Sequence, residues 1–193
     1  MKNILVIVGH PSMDSFNGAL AKKYIDGVEK KGNEVRLLHI GSLKFEPVLT
    51  SGYKDLPELE PDLKKSQDLI KWADHFAIIN PTWWATPPAL FKAFFERVFL
   101  PDFAFKYKKS KHVVAWDKFL TGKSARFIIT MDTPPWFFKL VIGNPAGKMM
   151  KDILSFCGIK PVKGTYFGSV KMSTPEKREK WLEKTYRIGL KEA

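Results

Sequence analysis

Residues able to do chemistry gather in three short stretches of this 193-residue chain. The longest is Asn80-Pro81-Thr82-Trp83-Trp84-Ala85-Thr86-Pro87-Pro88. Two adjacent indoles between prolines, with no polar periodicity, suit a surface that covers something flat and apolar, because indole left in water forfeits a large burial energy. The plainer alternative is that Trp83 and Trp84 plug one end of a core. The second stretch, Gly9-His10-Pro11-Ser12-Met13-Asp14-Ser15-Phe16-Asn17, ends where a helix begins, and the free N–H groups and dipole of a helix N-terminus favour an anion. Ser15 and Asn17 add side-chain donors, and His10 can face the same anion. Alternatively, Ser15 only caps the helix and His10 only sits in a turn. The third stretch is Met131-Asp132-Thr133-Pro134-Pro135-Trp136, again prolines and an indole.

Several chemistries are excluded by content. The first stretch is neither a Gly-x-Gly-x-x-Gly dinucleotide fingerprint nor a phosphate loop closing on Lys-Ser/Thr, which argues against a Rossmann dehydrogenase and a nucleoside triphosphatase. There is no Gly-x-Ser-x-Gly elbow for a serine hydrolase. The four histidines, His10, His39, His75 and His112, show no paired metal-ligand spacing, and His39 and His75 read as structural residues at strand ends. Asp132 is the one carboxylate within a candidate loop, either a polar contact to a ring or an Asx-turn former, and not a general base.

The elements around these stretches alternate between two periods. Ile4 to Val8 is a continuous β-branched and aliphatic run, the pattern of a strand buried on both faces. A helix follows from Phe16 to about Lys31, with Leu20, Tyr24 and Val28 on one face, Ser15 as its cap and Gly32-Asn33 as its stop. A strand over Glu34 to His39 leads into an irregular stretch from Gly41 to Pro61. Then come a helix over Asp62 to Ala73, a strand over Phe76 to Ile79, and an aromatic-rich helix over Ala89 to Leu100. Pro101 to Thr121 reads as an excursion or hairpin. A strand over Ala125 to Thr130, a helix from about Pro145 to Cys157, a strand within Thr165 to Val170 and a helix over Thr174 to Leu190 complete the chain. Strands alternating with helices imply a parallel sheet covered on both faces, and five strands suit the flavodoxin-like order 2-1-3-4-5 in a three-layer sandwich, one domain over residues 1–193.

In such a sheet, ligands bind outside the carboxyl ends of the strands where the order reverses. The loops after strands one, three and four meet there, and these are the three stretches singled out above. An anion-binding helix start beside Trp83, Trp84 and Trp136 fits a planar ring carrying a phosphate. An isoalloxazine meets that description, its ring edge against backbone N–H groups of the second and third loops.

Composition sets the remaining bounds. Charged residues at 27% and apolar residues at 45% are ordinary for a globular domain. No run reaches the roughly 20 apolar residues of a membrane span, and Ile4 to Val8 is too short for a signal peptide. A single cysteine, Cys157, forms no internal disulfide and fits the cytoplasm. The net charge of +12 attracts phosphates, but the basic residues are spread along helix faces. The basic run Lys106-Tyr107-Lys108-Lys109-Ser110-Lys111-His112 comes with no nucleic-acid module, so no nucleic-acid partner is expected.

At these residues the chain resembles the flavodoxin-like NAD(P)H:quinone oxidoreductases, the DT-diaphorase family. The likeness is carried by His10 with Ser15-Phe16-Asn17-x-Ala19-Leu20, by Pro81-x-x-Trp84-x-x-Pro87-Pro88-x-Leu90-Phe91-Lys92, by Phe95-Glu96-Arg97-Val98-Phe99, and by Phe103-Ala104-Phe105-x-Tyr107 and Phe156-Cys157-Gly158. The resemblance implies a homodimer with flavin near the subunit interface, reduced by NAD(P)H and reoxidised by a quinone-like acceptor in a ping-pong cycle. It implies that His10, Ser15, Phe16 and Asn17 lie on the flavin phosphate side, that Pro81, Thr82, Trp83 and Trp84 lie on the ring, and that Thr130, Met131, Asp132 and Thr133 lie on its pyrimidine edge, with Trp136 nearby. Trp84, Trp136, Phe105 and Tyr107 would border the acceptor, the last two from the other subunit. The chain departs from the better-known members where they have a Gly-rich loop, a tyrosine and a histidine; here stand Asp132-Thr133-Pro134-Pro135-Trp136. The first loop reads as the FAD-type version, while the short C-terminus resembles FMN-binding relatives. Two other readings attach to the same fold: a flavodoxin-type electron carrier, and a regulatory subunit of a potassium-efflux transporter whose basic run docks a partner or an anionic membrane.

Overall fold

The computed structural model describes residues 1–50, 52–53, 56–109 and 114–192. Among these residues the strands and α-helices follow in the order β1 (Asn3–Val8), α1 (Phe16–Lys30), β2 (Glu34–His39), α2 (Pro61–Trp72), β3 (His75–Pro81), α3 (Ala89–Val98), β4 (Phe105–Tyr107), β5 (Trp116–Lys118), β6 (Ser124–Thr130), α4 (Pro135–Leu140), α5 (Pro145–Phe156), β7 (Val162–Phe167) and α6 (Pro175–Glu192). The main sheet is parallel throughout in the order β2-β1-β3-β6-β7, the expected flavodoxin-like topology. The excursion after α3 is an antiparallel hairpin, β4 against β5, pairing Tyr107 with Trp116.

The unbroken apolar run of β1 serves both faces of the sheet. Leu5 and Ile7 enter the core under α2, α3 and α5 with Ile78, Phe94, Phe127 and Leu154. Ile4, Val6 and Val8 enter the opposite core under α1 and α6 with Leu20, Tyr24, Ile128 and Phe167. Side chains that alternate between faces with period two therefore fill both layers from one strand. Helices α1 and α6 cross at glycines. A Cβ at Gly27 would lie 2.3 Å from the Tyr186 carbonyl oxygen, and one at Gly189 would lie 2.3 Å from that of Tyr24. Each glycine costs helix propensity, about 1 kcal/mol, and what it permits is backbone contact between the two helices.

The irregular stretch before α2 is held by a buried cation. The Arg97 guanidinium on α3 donates to the Glu60 carboxylate at 2.7 Å and to the Glu46 carbonyl oxygen. Two differences from the sequence expectations stand out. Strand β7 lies at Val162–Phe167 rather than within Thr165–Val170, because pairing with β6 selects Val162 opposite Ala125, a choice that local composition does not reveal. The third loop stops at Pro134, and Pro135 opens α4 at a first-turn position where its missing N–H is harmless. Trp136 thus rides on a helix rather than a loop.

Candidate functional site

The first loop is shaped by its own short polar side chains. The Ser12 N–H donates to His10 Nδ1 at 3.0 Å, and the Asp14 N–H donates to Ser12 Oγ at 3.0 Å. Ser15 Oγ donates to the Ser12 carbonyl oxygen at 2.8 Å and accepts the Gly18 N–H at 3.2 Å. Ser15 is therefore the N-cap of α1, in extended conformation, and the first turn of the helix holds no acidic residue. That leaves the positive end of the dipole uncompensated. The loop folds back closely: a Cβ at Gly18 would lie 2.0 Å from the Met13 carbonyl oxygen. From outside, His39 Nε2 donates to the His10 carbonyl oxygen at 2.9 Å, which bears out a structural role for His39.

The second loop is a tight turn. Trp83 and Thr86 exchange backbone hydrogen bonds at 2.8 and 3.2 Å, and the residues between them, Trp84 and Ala85, have φ of 53° and 64°. Positive φ at both central positions is the pattern that Asn-Gly normally supplies, so a tryptophan and an alanine there hold strained backbone. The strain presents an indole outward, since Trp84 is 99% exposed and Trp83 is 47% exposed. Neither plugs the core.

Three contacts draw the loops together. The His10 ring meets Trp83 edge-on at 5.9 Å, joining the first loop to the second. The Thr82 N–H donates to the Thr130 carbonyl oxygen at 2.8 Å, joining the second to the third. The Thr130 hydroxyl donates to Asn17 Oδ1 at 3.2 Å, joining the third to the first. The Met131 N–H is taken by the Phe167 carbonyl oxygen, and the Asp132 carboxylate accepts the Lys171 N–H at 2.8 Å, so Asp132 anchors the loop that follows β7. Thr133 follows, and Trp136, 63% exposed, stands just beyond on α4.

Other expected residues fall differently. The Phe16 ring packs on Trp181 of α6 at 6.0 Å, so only its backbone faces the helix start. Phe105 and Tyr107 pack on Phe156 at 4.9 and 6.4 Å, near the end of α5. Because α3 and α5 both start at the carboxyl edge of the sheet, this places the two aromatics at the far end of that layer from the three loops of the same chain. His75 is buried under Ser124 and Glu192, its Nδ1 2.8 Å from Ser124 Oγ and its Nε2 3.4 Å from the Glu192 carboxylate. Of the basic run, Ser110, Lys111 and His112 lie outside the described residues. Within the second loop the turn itself is not legible from sequence, since Trp84-Ala85 carries none of the usual signals of positive φ.

Among the described residues there is no group of three or more His, Cys, Asp or Glu side chains placed to hold a metal ion. No helix among them is long and apolar enough to cross a membrane. A helix start with no acidic residue in its first turn, a 5% exposed amide at Asn17 and outward indoles on the neighbouring loop thus lie at the same edge of the sheet.

Residues 2–187 match the family described as having the flavodoxin-like fold. The chain belongs to that family. It is 35% identical to a Streptococcus mutans protein of known crystal structure, superposing with a TM-score of 0.84 over 98% of this chain and 99% of the other. It is 25% identical to a Haemophilus influenzae protein named an uncharacterized NAD(P)H oxidoreductase, over 94% of this chain and 91% of that protein. It is 30% identical over 128 residues to NAD(P)H dehydrogenase [quinone] 1 of Cavia porcellus, 55% of this chain but only 46% of that enzyme, so the match spans about half of the longer protein.

Proposed function

We propose that this protein is a flavin-dependent oxidoreductase that passes two electrons from NAD(P)H to a quinone-like acceptor. The observation that carries the reading is the tie of three loops at the carboxyl edge of the sheet, through His10 to Trp83, Thr82 to Thr130 and Thr130 to Asn17. Names of the relatives and membership of the family support the same class.

The residues present fit a flavin. The start of α1, capped by Ser15 and free of carboxylates in its first turn, would hold the phosphate with His10 and Asn17 beside it. Pro81, Thr82, Trp83 and Trp84 would flank the ring, and the backbone from Thr130 to Thr133 would lie along its polar edge. The group would supply hydride transfer between a nicotinamide and the acceptor, the balanced reaction being NAD(P)H, a proton and a quinone giving NAD(P)⁺ and a hydroquinone. The protein's own part is orientation and donation of backbone hydrogen bonds, with no side chain acting as acid or base. Donor and acceptor would use one slot in turn, hence ping-pong kinetics.

Phe105 and Tyr107 enter this picture only through a second copy. Beside their hairpin runs a groove along the exposed side of α3, with cavities of about 680 and 350 Å³ and a mixed lining that includes Leu49, Tyr53, Lys92, Glu96 and Phe156. A homodimer packed on this groove would carry the two aromatics of one copy towards the loops of the other. The single cysteine fits action in the cytoplasm.

A visible absorbance spectrum of the purified protein, with the released chromophore identified by chromatography, tests the reading. Flavin bands, FAD on the reading of the first loop, and rapid NAD(P)H oxidation with a soluble quinone are the expected result. A colourless protein that takes up neither FAD nor FMN defeats it, and a stable semiquinone without NAD(P)H oxidation makes it an electron carrier instead.

A further inference from the structure

Helix α4 and the residues after it form an apolar patch that none of the described residues covers. Phe138 is buried and anchors the helix, while Leu140 is 80% exposed, Val141 62% and Ile142 41%, continuous with Trp136 and Phe137, whose rings meet edge-on at 5.6 Å. Consecutive large apolar side chains in water are not the scattered exposure normal for a surface. Charge around the patch is mainly positive, with the exposed Asp132 and Asp152 at the two ends of the stretch. From Thr133 through Lys151 the chain carries Lys139, Lys148 and Lys151 and no carboxylate. The Lys139 ammonium lies 4.1 Å from the centroid of the Tyr166 ring, and the Lys148 ammonium lies close to Gly143. The neighbouring loop adds Lys171 and an exposed Met172, its backbone tied to Met131 and Asp132.

We infer that this patch docks the protein on the surface of an anionic bilayer. An indole, bulky aliphatic side chains and flanking lysines are what the boundary between headgroups and acyl chains accepts: the apolar face enters a short way and the ammonium groups stay with the lipid phosphates. Lys139, Lys148, Lys151 and Lys171 outnumber the neighbouring carboxylates, and with the chain's net charge of +12 they complement an anionic leaflet. A second copy of the chain is a poorer occupant, because a two-fold contact through this patch sets the same lysines against each other. The α3 groove, with Lys92, Glu96 and Asp152, has charges of both signs and suits self-association better. Helix α4 follows directly on the Thr130–Thr133 end of the candidate site, so docking would bring that site to the level of the headgroups. On the function proposed above, the acceptor is then a quinone dissolved in the bilayer.

The test is flotation of the purified protein with vesicles of phosphatidylcholine alone and of equimolar phosphatidylcholine and phosphatidylglycerol. The protein is expected to float with the anionic vesicles and not with the neutral ones, and to be released by high salt. L140E/V141E is expected to lower the bound fraction by about tenfold or more, and K139Q/K148Q to lower it less. Both variants should oxidise NAD(P)H with a water-soluble quinone at the parental rate and lose rate only with a quinone supplied in anionic vesicles. No flotation, or flotation that L140E/V141E leaves intact, overturns the docking. So does conversion of a dimer to a monomer by L140E/V141E in sedimentation, which makes the patch a contact between copies. The two readings fail separately: a flavin-loaded, active protein that does not float defeats the docking alone, and a colourless protein that floats defeats the oxidoreductase reading alone.

Discussion

The Thr130 hydroxyl donates to Asn17 Oδ1 across 3.2 Å, joining residues 113 positions apart in sequence. Both side chains are buried, so the bond fixes the end of β6 against the start of α1. Asn17→Ala removes the acceptor and strands a buried hydroxyl, which costs about 1–2 kcal/mol. In a domain of this size the melting temperature should fall by a few degrees, roughly 2–4 °C per kcal/mol, and flavin should bind more weakly. An unchanged melting curve would show that the two loops are held by something else.

Ser15 separates a structural role from a binding one. Ser15→Ala loses the cap on the Gly18 N–H and should destabilise by about 1 kcal/mol. Ser15→Asp keeps a capping oxygen and suits the helix dipole, so stability without ligand should hold. Its charge would face the flavin phosphate, and the purified protein should be nearly colourless. Full flavin content in Ser15→Asp would contradict the phosphate assignment.

The turn at Trp84 and Ala85 stores strain that glycine relieves. Ala85 has φ of 64°, and a left-handed residue with a Cβ costs about 1 kcal/mol or more. Ala85→Gly should raise stability by about 0.5 kcal/mol after the lost methyl contact, measured by denaturant midpoint without flavin. The looser turn should hold Trp84 less firmly and weaken flavin binding. A less stable Ala85→Gly protein would mean that the turn is not strained.

At the opposite edge of the sheet, Glu192 closes α6 onto the core. Burial pushes its carboxyl up, but hydrogen bonds from His75 and Arg126, with their charges, outweigh burial and bring it to about 2. Arg126 Nε lies 2.7 Å away, Tyr24 donates at 3.3 Å, and the Lys2 ammonium donates to the Glu192 backbone carbonyl oxygen. A depressed carboxylate stabilises the fold above its unfolded value of about 4.3 and loses that contribution as pH falls towards 2. Glu192→Gln should therefore cost roughly 2–3 kcal/mol at pH 7, part of it from Arg126 left unpaired, and almost nothing near pH 2. Parallel denaturation curves at the two pH values check the sign, and an equal penalty at both would remove the ion pair as the cause.

How far the sequence could be read depended on whether a feature is local. The apolar run Ile4 to Val8, the Ser15 cap and the amphipathic α1 are written in neighbouring residues and appear as expected. Strand β7 has weak alternation of its own, and its register comes from β6. Helix α4 was obscured because Pro134-Pro135 reads as a loop, although proline is at home in a first helical turn. Trp84 and Ala85 gave no turn signal, because the residues that ease positive φ are absent.

The sequence by itself determined the alternation of strands and helices, and with it the parallel sheet, its order and the edge at which three unusual loops must meet. Hydrophobic period and capping chemistry act over a few residues, so composition is enough to show them. Only the tertiary structure decided which atoms tie the loops together, that Trp84 stands in solvent rather than in the core, and that Phe105 and Tyr107 lie at the far end of their own chain's layer. Those outcomes depend on hydrogen bonds and packing between residues far apart in sequence, such as Asn17 with Thr130, and they exist only once the sheet has brought the partners within reach.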